Sequence, residues 1–255
     1  MAWDYGQLCT EIYDLDKPTG FTFGDIAYYQ RALAGVQGRV LEPAVGTGRI
    51  LIPLLEAGFR VEGYDLSPDM LALCRVRCRE RGLEAVLQEA DMTSFVEEAA
   101  FAAVIVPLGS IVLLDGPDET LRALKRFYQC LQPGGRLILD VPAPRLVQQP
   151  MALRHWRVGE VIWTLQTLGV EYDSAANQTT SWLRYDKWND GVHVGSELQP
   201  FRLQHWSVQE FTDLLARVGF ADITVTTGYE PDTAPGPDSE DWTFHAVRPG
   251  ESAVR

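Results

Sequence analysis

The chain reads as a doubly wound, mostly parallel α/β protein, and three observations carry that reading. From residue 39 onward short β-rich runs alternate with longer amphipathic segments, the pattern produced by strands joined through crossover helices. One run, "FAAVIVPL", is apolar throughout, as in a strand covered on both faces. Residues 143–206 break the alternation with stretches rich in Trp, Tyr, Val and Thr around the turn signal Asn189-Asp190-Gly191, which predicts an inserted antiparallel β-meander.

The elements follow in order. "RVLEPAV" is a buried strand, and "RILIPLLEAG" a helix closed by Gly58, with Pro53 in the first turn, where a missing N–H does little harm. "RVEGYDL" is the second strand. Ser67 and Pro68 then supply an N-cap and a first-turn proline for "DMLALCRVRCRERG", which Gly82 stops. "AVLQEA" and "FAAVIVPL" are the third and fourth strands, "DETLRALKRFYQCLQPGG" a helix ending at its Pro-Gly, and "RLILDVP" the fifth strand. After the insertion, "SVQEFTDLLARVGF" returns to helix with Ser207 and Glu210 in a capping box. "ADITVTTGY" and "WTFHAVRP" close the chain as strands. The expected organisation is a helical cap segment over 1–35, an α/β core over 36–142, a β cap over 143–206 and a returning helix with the last two strands over 207–255.

Composition narrows the function. A chain of 255 residues, 46% hydrophobic, can build one substantial core with a small appended lobe. A formal net charge of −13 opposes a phosphate-tracking surface, so nucleic acid is not an expected partner. The amino terminus carries acids and no basic start before an apolar run, and no stretch reaches the roughly 18 apolar residues of a spanning helix. The expectation is a cytoplasmic protein without membrane association. Cys9, Cys74, Cys78 and Cys130 form no CxxC pair, so no metal site is expected.

Strand, glycine turn and helix in "VLEPAVGTGRI" place free backbone N–H groups at the carboxyl edge of the sheet, where open α/β sheets bind ligands. A phosphate-binding loop needs Gly-Lys-Ser/Thr, and Gly48-Arg49-Ile50 stands there instead. A dinucleotide turn needs a small residue where Leu51 stands, which weakens a nicotinamide oxidoreductase without removing it. S-adenosylmethionine has no phosphates and needs close backbone approach and acids at successive strand ends. Glu42 ends the first strand; Asp65, with Leu66 beside it, ends the second and can accept from a ribose diol; Asp91 follows the third, with Met92 as an apolar neighbour for adenine; Val106 and Pro107 end the fourth.

"VLEPAVGTGRI", "GYDLSPDML", "EADM", "FAAVIVPLGSIVLL" and "LQPGGRLILDVP", in this order, resemble the successive motifs of the class I S-adenosylmethionine-dependent methyltransferases, small-molecule type, similar to glycine and amino-sugar N-methyltransferases. The resemblance covers 39–142 and extends more loosely through "FTDLLARVGFADITV". It implies a seven-stranded, Rossmann-like sheet whose last strand is antiparallel, and S-adenosylmethionine as cofactor with S-adenosylhomocysteine as product. It assigns Glu42, Gly46, Thr47 and Gly48 to the methionine end, with Arg49 beside them, Asp65 to the ribose, and Asp91 with Met92 to the adenine. "IYDLDK" is similar to the amino-terminal segment of such enzymes in which a tyrosine closes over the cofactor, which matches Tyr13; Tyr29 can join it. The chain departs from the family at Ala44, usually glycine, with tighter packing at the cofactor as the expected result. A second departure is Leu113, where small-molecule members carry a histidine.

Methyl transfer from a sulfonium proceeds largely through near-attack positioning and exclusion of water, and a base is needed only if the acceptor must first lose a proton. The candidate bases lie in the cap: His193 and His205, with His155 as a third. Five of the seven tryptophans, Trp156, Trp163, Trp182, Trp188 and Trp206, also fall there and suggest an aromatic wall for a small-molecule acceptor or a homodimer contact through the insertion. The missing histidine also keeps open a non-catalytic partner subunit that only binds the cofactor.

Overall fold

The computed structural model describes residues 5–144 and 153–250. Its main sheet has seven strands in the order β10-β11-β5-β4-β1-β2-β3. β1 (Arg39–Pro43), β2 (Arg60–Asp65), β3 (Val86–Glu89), β4 (Phe101–Val106) and β5 (Leu131–Pro142) run parallel. β11 (Asp241–Val247) enters antiparallel between β5 and β10 (Ala221–Thr226).

The apolar run of β4 is explained by its two faces. Val104 and Val106 join the cluster under α5 (Gly116–Cys130) and α6 (Val208–Val218), while Ala103 and Ile105 join the one under α2 (Asp25–Ala32), α3 (Leu51–Glu56) and α4 (Pro68–Glu80). Both sides of the strand are removed from water, so no polar residue is tolerated on either. Local signals act where expected: the Ser67 hydroxyl accepts Met70 N–H at 3.2 Å, and Ser207 and Glu210 exchange both bonds of a capping box.

The helix expected to run on to Gly135 ends at Cys130, and β5 begins at Leu131. Pairing with β4 steps from Phe101↔Leu131 to Ala103↔Arg136, so Gln132–Gly135 bulge out of register. Pro133 cannot extend a helix, and the Arg248 guanidinium donates to the carbonyls of Tyr128, Gln129 and Leu131, satisfying the helix end in place of another turn.

The insertion forms a separate antiparallel sheet of β6 (Arg154–Val158), β7 (Val161–Asp173), β8 (Gln178–Asn189) and β9 (Val192–Gln204). Asp190 and Gly191 both take positive φ, 47° and 74°, which gives the tight hairpin that joins β8 to β9. One face packs on α1 (Gln7–Asp16) through Leu8, Cys9 and Ile12 against Leu183, Tyr185, Trp156 and Trp163. The remaining amino-terminal helix behaves differently, since Tyr28, Tyr29 and Leu33 of the α2 region pack into the main core. Among the described residues no helix is long and apolar enough to cross a membrane.

Candidate functional site

A cavity of about 470 Å³ lies between the carboxyl ends of the parallel strands and the inserted sheet. Four of the five parallel strands contribute from their carboxyl ends: Ala44 and Gly46 follow β1, Asp65 ends β2 with Leu66 and Ser67 after it, Ala90–Thr93 follow β3, and Ser110 with Leu113–Asp115 follow β4. Gln199–Arg202 of β9 face them, with Tyr5 and Tyr13 from the amino-terminal segment.

Asp65 ties two turns together. Its Oδ2 accepts Gly46 N–H at 2.8 Å and its Oδ1 accepts Ser67 N–H at 2.9 Å. Each oxygen keeps a second lone pair, so the carboxylate can still receive hydroxyl donors. Burial raises its pKa, and the backbone amides oppose that rise. Asp91 is locked similarly, its Oδ1 accepting Thr93 N–H at 2.7 Å. Both carboxylates reach the cavity, as do Leu66 and Met92.

Behind the turn lie polar groups without a partner. Glu42 is 3% exposed, and its Oε2 meets no hydrogen-bond donor; the Thr47 hydroxyl is similarly buried and unpaired. Burial holds the Glu42 carboxyl well above its ordinary range, with Arg49 as the opposing influence. Unsatisfied buried oxygens of this kind call for a donor that the protein itself does not supply. Gly48 has φ +85°, and a Cβ there would come within 2.7 Å of Cys74 Sγ, so only glycine fits between turn and helix. Ala44 has φ 53°, the left-handed region, which is why the position suits glycine.

The other half of the cavity is assembled from distant segments. Glu197 of β9 accepts Leu8 N–H and Cys9 N–H at 3.0 and 3.1 Å, seating a carboxylate on the N-terminus of α1. Gln199 Oε1 accepts the Tyr185 hydroxyl at 3.0 Å and the Cys9 thiol at 3.2 Å. α1 is in turn fastened to the core by the Ser67 hydroxyl, which donates to the Tyr5 carbonyl at 2.9 Å, and by the Arg77–Asp14 ion pair. These contacts deliver Tyr5 and Tyr13 to the cavity. On the opposite wall, Gln178 of β8 donates to Asp115 at 3.2 Å.

Several expected residues lie elsewhere. Tyr29 is fully buried in the main core and does not line the cavity. His193 is exposed beside Trp188 and Ser196, and His205 is buried against Thr179 at 2.6 Å; neither reaches the cavity wall, and His155 is exposed on β6. Arg49 donates to Asp25 Oδ2 at 2.5 Å and to the Phe21 carbonyl at 3.0 Å, so it braces the turn from behind. Glu42, Thr47, Gly48, Val106 and Pro107 likewise stand behind the lining. The tryptophan wall does not form: Trp156 and Trp163 pack on α1, Trp206 packs on Phe211, and Trp182 and Trp188 stand apart from the cavity. The aromatic lining is Tyr5, Tyr13, Tyr64 and Phe201. Alternation in β9 was the available signal for Gln199 and Phe201, but its phase is set by α1.

A family model described as a methyltransferase domain matches residues 40–135. A glycine/sarcosine N-methyltransferase of Parasynechococcus marenigrum is 31% identical over 196 residues, covering 76% of this chain and 66% of the relative. A dTDP-3-amino-3,6-dideoxy-alpha-D-glucopyranose N,N-dimethyltransferase of Streptomyces fradiae is 34% identical over 142 residues, 54% of each chain. The solved structure of the CcbJ methyltransferase from Streptomyces caelestis superposes with a TM-score of 0.77 at 20% identity, covering 96% of this chain and 98% of that one.

Proposed function

The chain belongs to the S-adenosylmethionine-dependent methyltransferases, and from that premise we propose that it methylates a small-molecule amine held between the sheet edge and the inserted sheet. The observation that carries the acceptor reading is Leu113: an apolar side chain lines the cavity where a base would stand, and among the described residues no histidine joins it. The two sequence relatives reported above, from Parasynechococcus marenigrum and Streptomyces fradiae, are named for N-methylation, which supports the same reading.

The residues fit the cofactor. Glu42 stands behind the lining at the Ala44–Gly46 turn, and its Oε2, buried without a donor, suits an ammonium group brought to that turn; the unpaired Thr47 hydroxyl follows five residues on. Asp65 suits a ribose diol because both its oxygens are held by backbone N–H groups with lone pairs to spare. Asp91 and Met92 suit an adenine, and Leu66 and Tyr13 complete the lining on this side. When bound, S-adenosylmethionine supplies an already activated methyl group. The chain then has to orient the acceptor and exclude water, for which the apolar surfaces of Leu113, Leu114, Pro200 and Phe201 are suited. Asp115, exposed on the same wall, attracts a protonated amine, which sheds its proton to water before it enters. Burial drives the Tyr5 hydroxyl far above its ordinary pKa, so it serves as a hydrogen-bonding group and not as a base.

In this reading the inserted sheet and α1 act together as the cap. The insertion's exposed Val192, Val194 and Leu198 would form the contact of a homodimer, which sedimentation tests directly. The main test is isothermal titration with S-adenosylmethionine, followed by mass detection of methylated product from glycine, sarcosine and amino-sugar acceptors. Binding in the micromolar range and product from an amine are expected. Absence of heat at high micromolar cofactor would sink the proposal, and product confined to hydroxyl acceptors would overturn its amine half.

A further inference from the structure

A buried carboxylate lies outside the cavity but is bonded to the segment that forms one of its walls. Asp140, near the end of β5, is 2% exposed. Its Oδ2 accepts Leu108 N–H at 2.8 Å and the Tyr229 hydroxyl at 3.0 Å, and its Oδ1 accepts the Thr243 hydroxyl at 2.8 Å. The Tyr29 hydroxyl faces the same group without closing a hydrogen bond. Three donors converge on a side chain that can only accept, so the carboxylate suits its surroundings.

Leu108 is the strained member of this set. It has φ 53° and ψ 25°, and Gly109 follows at φ 71° and ψ 24°, so two successive residues are left-handed where the chain leaves β4. Leucine disfavours that region, and such a conformation persists only when its surroundings over-determine it. Here β5 does so twice. Asp140 bonds the Leu108 amide, and Pro142 presses on Gly109 so closely that a Cβ there would lie 2.5 Å from Pro142 Cδ. The residues immediately after this turn, Ser110 and Leu113–Asp115, are the cavity wall.

We propose that Asp140 is a positioning residue for the acceptor: by holding the Leu108–Gly109 turn it fixes where the Ser110–Asp115 wall stands, and Thr243 and Tyr229 orient it for that task. β11 and the loop that follows β10, which do not touch the cavity, thereby contribute to acceptor binding. The acceptor's location on that wall rests on the proposed function, but the wall's dependence on Asp140 does not.

Hydrogen exchange on the full chain, read by mass spectrometry without cofactor, tests that dependence. In Asp140→Ala, loss of a charge-assisted bond should speed amide exchange across 107–115 by roughly tenfold or more, with 42–50 and 63–68 unchanged. Titration with S-adenosylhomocysteine should give affinity within about twofold of the parent protein, since the bonds of Asp65 are untouched. Asp140→Asn should restore protection, because its amide oxygen can still accept Leu108 N–H and the Tyr229 hydroxyl while its NH2 donates to the Thr243 hydroxyl. Gly109→Ala, which disturbs the same turn from the Pro142 side, should reproduce the Asp140→Ala pattern. If Asp140→Ala does not fold, Tyr229→Phe should still raise exchange at 107–115, by about two- to fivefold, a smaller effect because Leu108 N–H keeps its acceptor and only the orienting hydroxyl is lost. Unchanged exchange there in a folded variant, or exchange that spreads equally to 42–50, overturns the proposal. Failure of the parent protein to bind S-adenosylhomocysteine would count against the cofactor reading and leave the exchange result standing.

Discussion

Asp65 and Gln199 line one cavity, yet they are held there by different means. Asp65 is bonded to the backbone of its own turn and of the neighbouring turn, 2 and 19 residues away. Gln199 depends on Cys9 and Tyr185, and its strand is anchored to α1 by a bond that spans 189 residues. The first side of the cavity is a row of strand ends, each locally complete. The second exists only after the inserted sheet, α1 and the post-β4 segment have met. The difference teaches where damage should stay confined and where it should spread.

The largest effect is expected on the local side. Asp65→Ala removes the proposed ribose contacts and the anchor of Gly46; at about 1.5–3 kcal/mol for each bond to a charged group, cofactor affinity should fall by roughly 100-fold or more in titration. Unchanged affinity would erase the distinction between the two sides. Next is a pH effect at Asp140, whose pKa burial pushes up to about 6, against the hydrogen bonds from Thr243, Leu108 and Tyr229. A carboxyl raised above its unfolded value near 3.9 binds its proton more tightly in the folded protein. Its stabilising contribution is therefore complete below about pH 4 and lost as pH rises through about 6. Chemical denaturation should show the parent gaining about 2 to 3 kcal/mol relative to Asp140→Asn between pH 7 and pH 4. A pH-independent difference would place the group's ionisation outside this account.

Smaller changes sharpen the distributed side. Glu197→Gln keeps the shape but removes the charge on the N-terminus of α1 and sets an amide NH2 against one of the two N–H groups it accepts, so the melt should show a loss of about 1–2 kcal/mol. If the amino-terminal segment is what completes the acceptor side, the same variant should raise acceptor KM without altering cofactor affinity. Ala44→Gly relieves a left-handed alanine and should stabilise by about 0.5–1 kcal/mol after the greater unfolded-state freedom of glycine is subtracted. His193→Ala, exposed and away from the cavity, should leave turnover within about twofold, and a larger loss would return a base to the cap.

Much of the main sheet could be read before the structure was known. Ser67-Pro68, Ser207 with Glu210, and Asp190-Gly191 each specify a local backbone state, and each occurs as expected. Asp65 and Asp91 were legible as cavity residues because one ends a strand and the other follows one, at the sheet edge that the cavity faces. The helix predicted to run to Gly135 ends at Cys130 because that end is satisfied by Arg248, more than a hundred residues away. Tyr29 differs from its sequence expectation for a related reason: its position before β1 suits the cofactor, but α2 turns its apolar face into the core.

By itself the sequence determined the order of strands and helices, the glycine turn and the acids at the strand ends, because these depend on local φ/ψ demands, caps and periodic burial. Only the tertiary structure decided the side of the cavity built by the inserted sheet. In the insertion both faces of the sheet carry aromatic and aliphatic residues, so alternation identifies two faces without choosing between them. Docking of α1 made that choice, burying Trp156 and Trp163 against the helix, bringing Gln199 and Phe201 to the cavity and leaving Trp182 and Trp188 away from it. The phase of a strand is a local property, but the partner that buries one face is not.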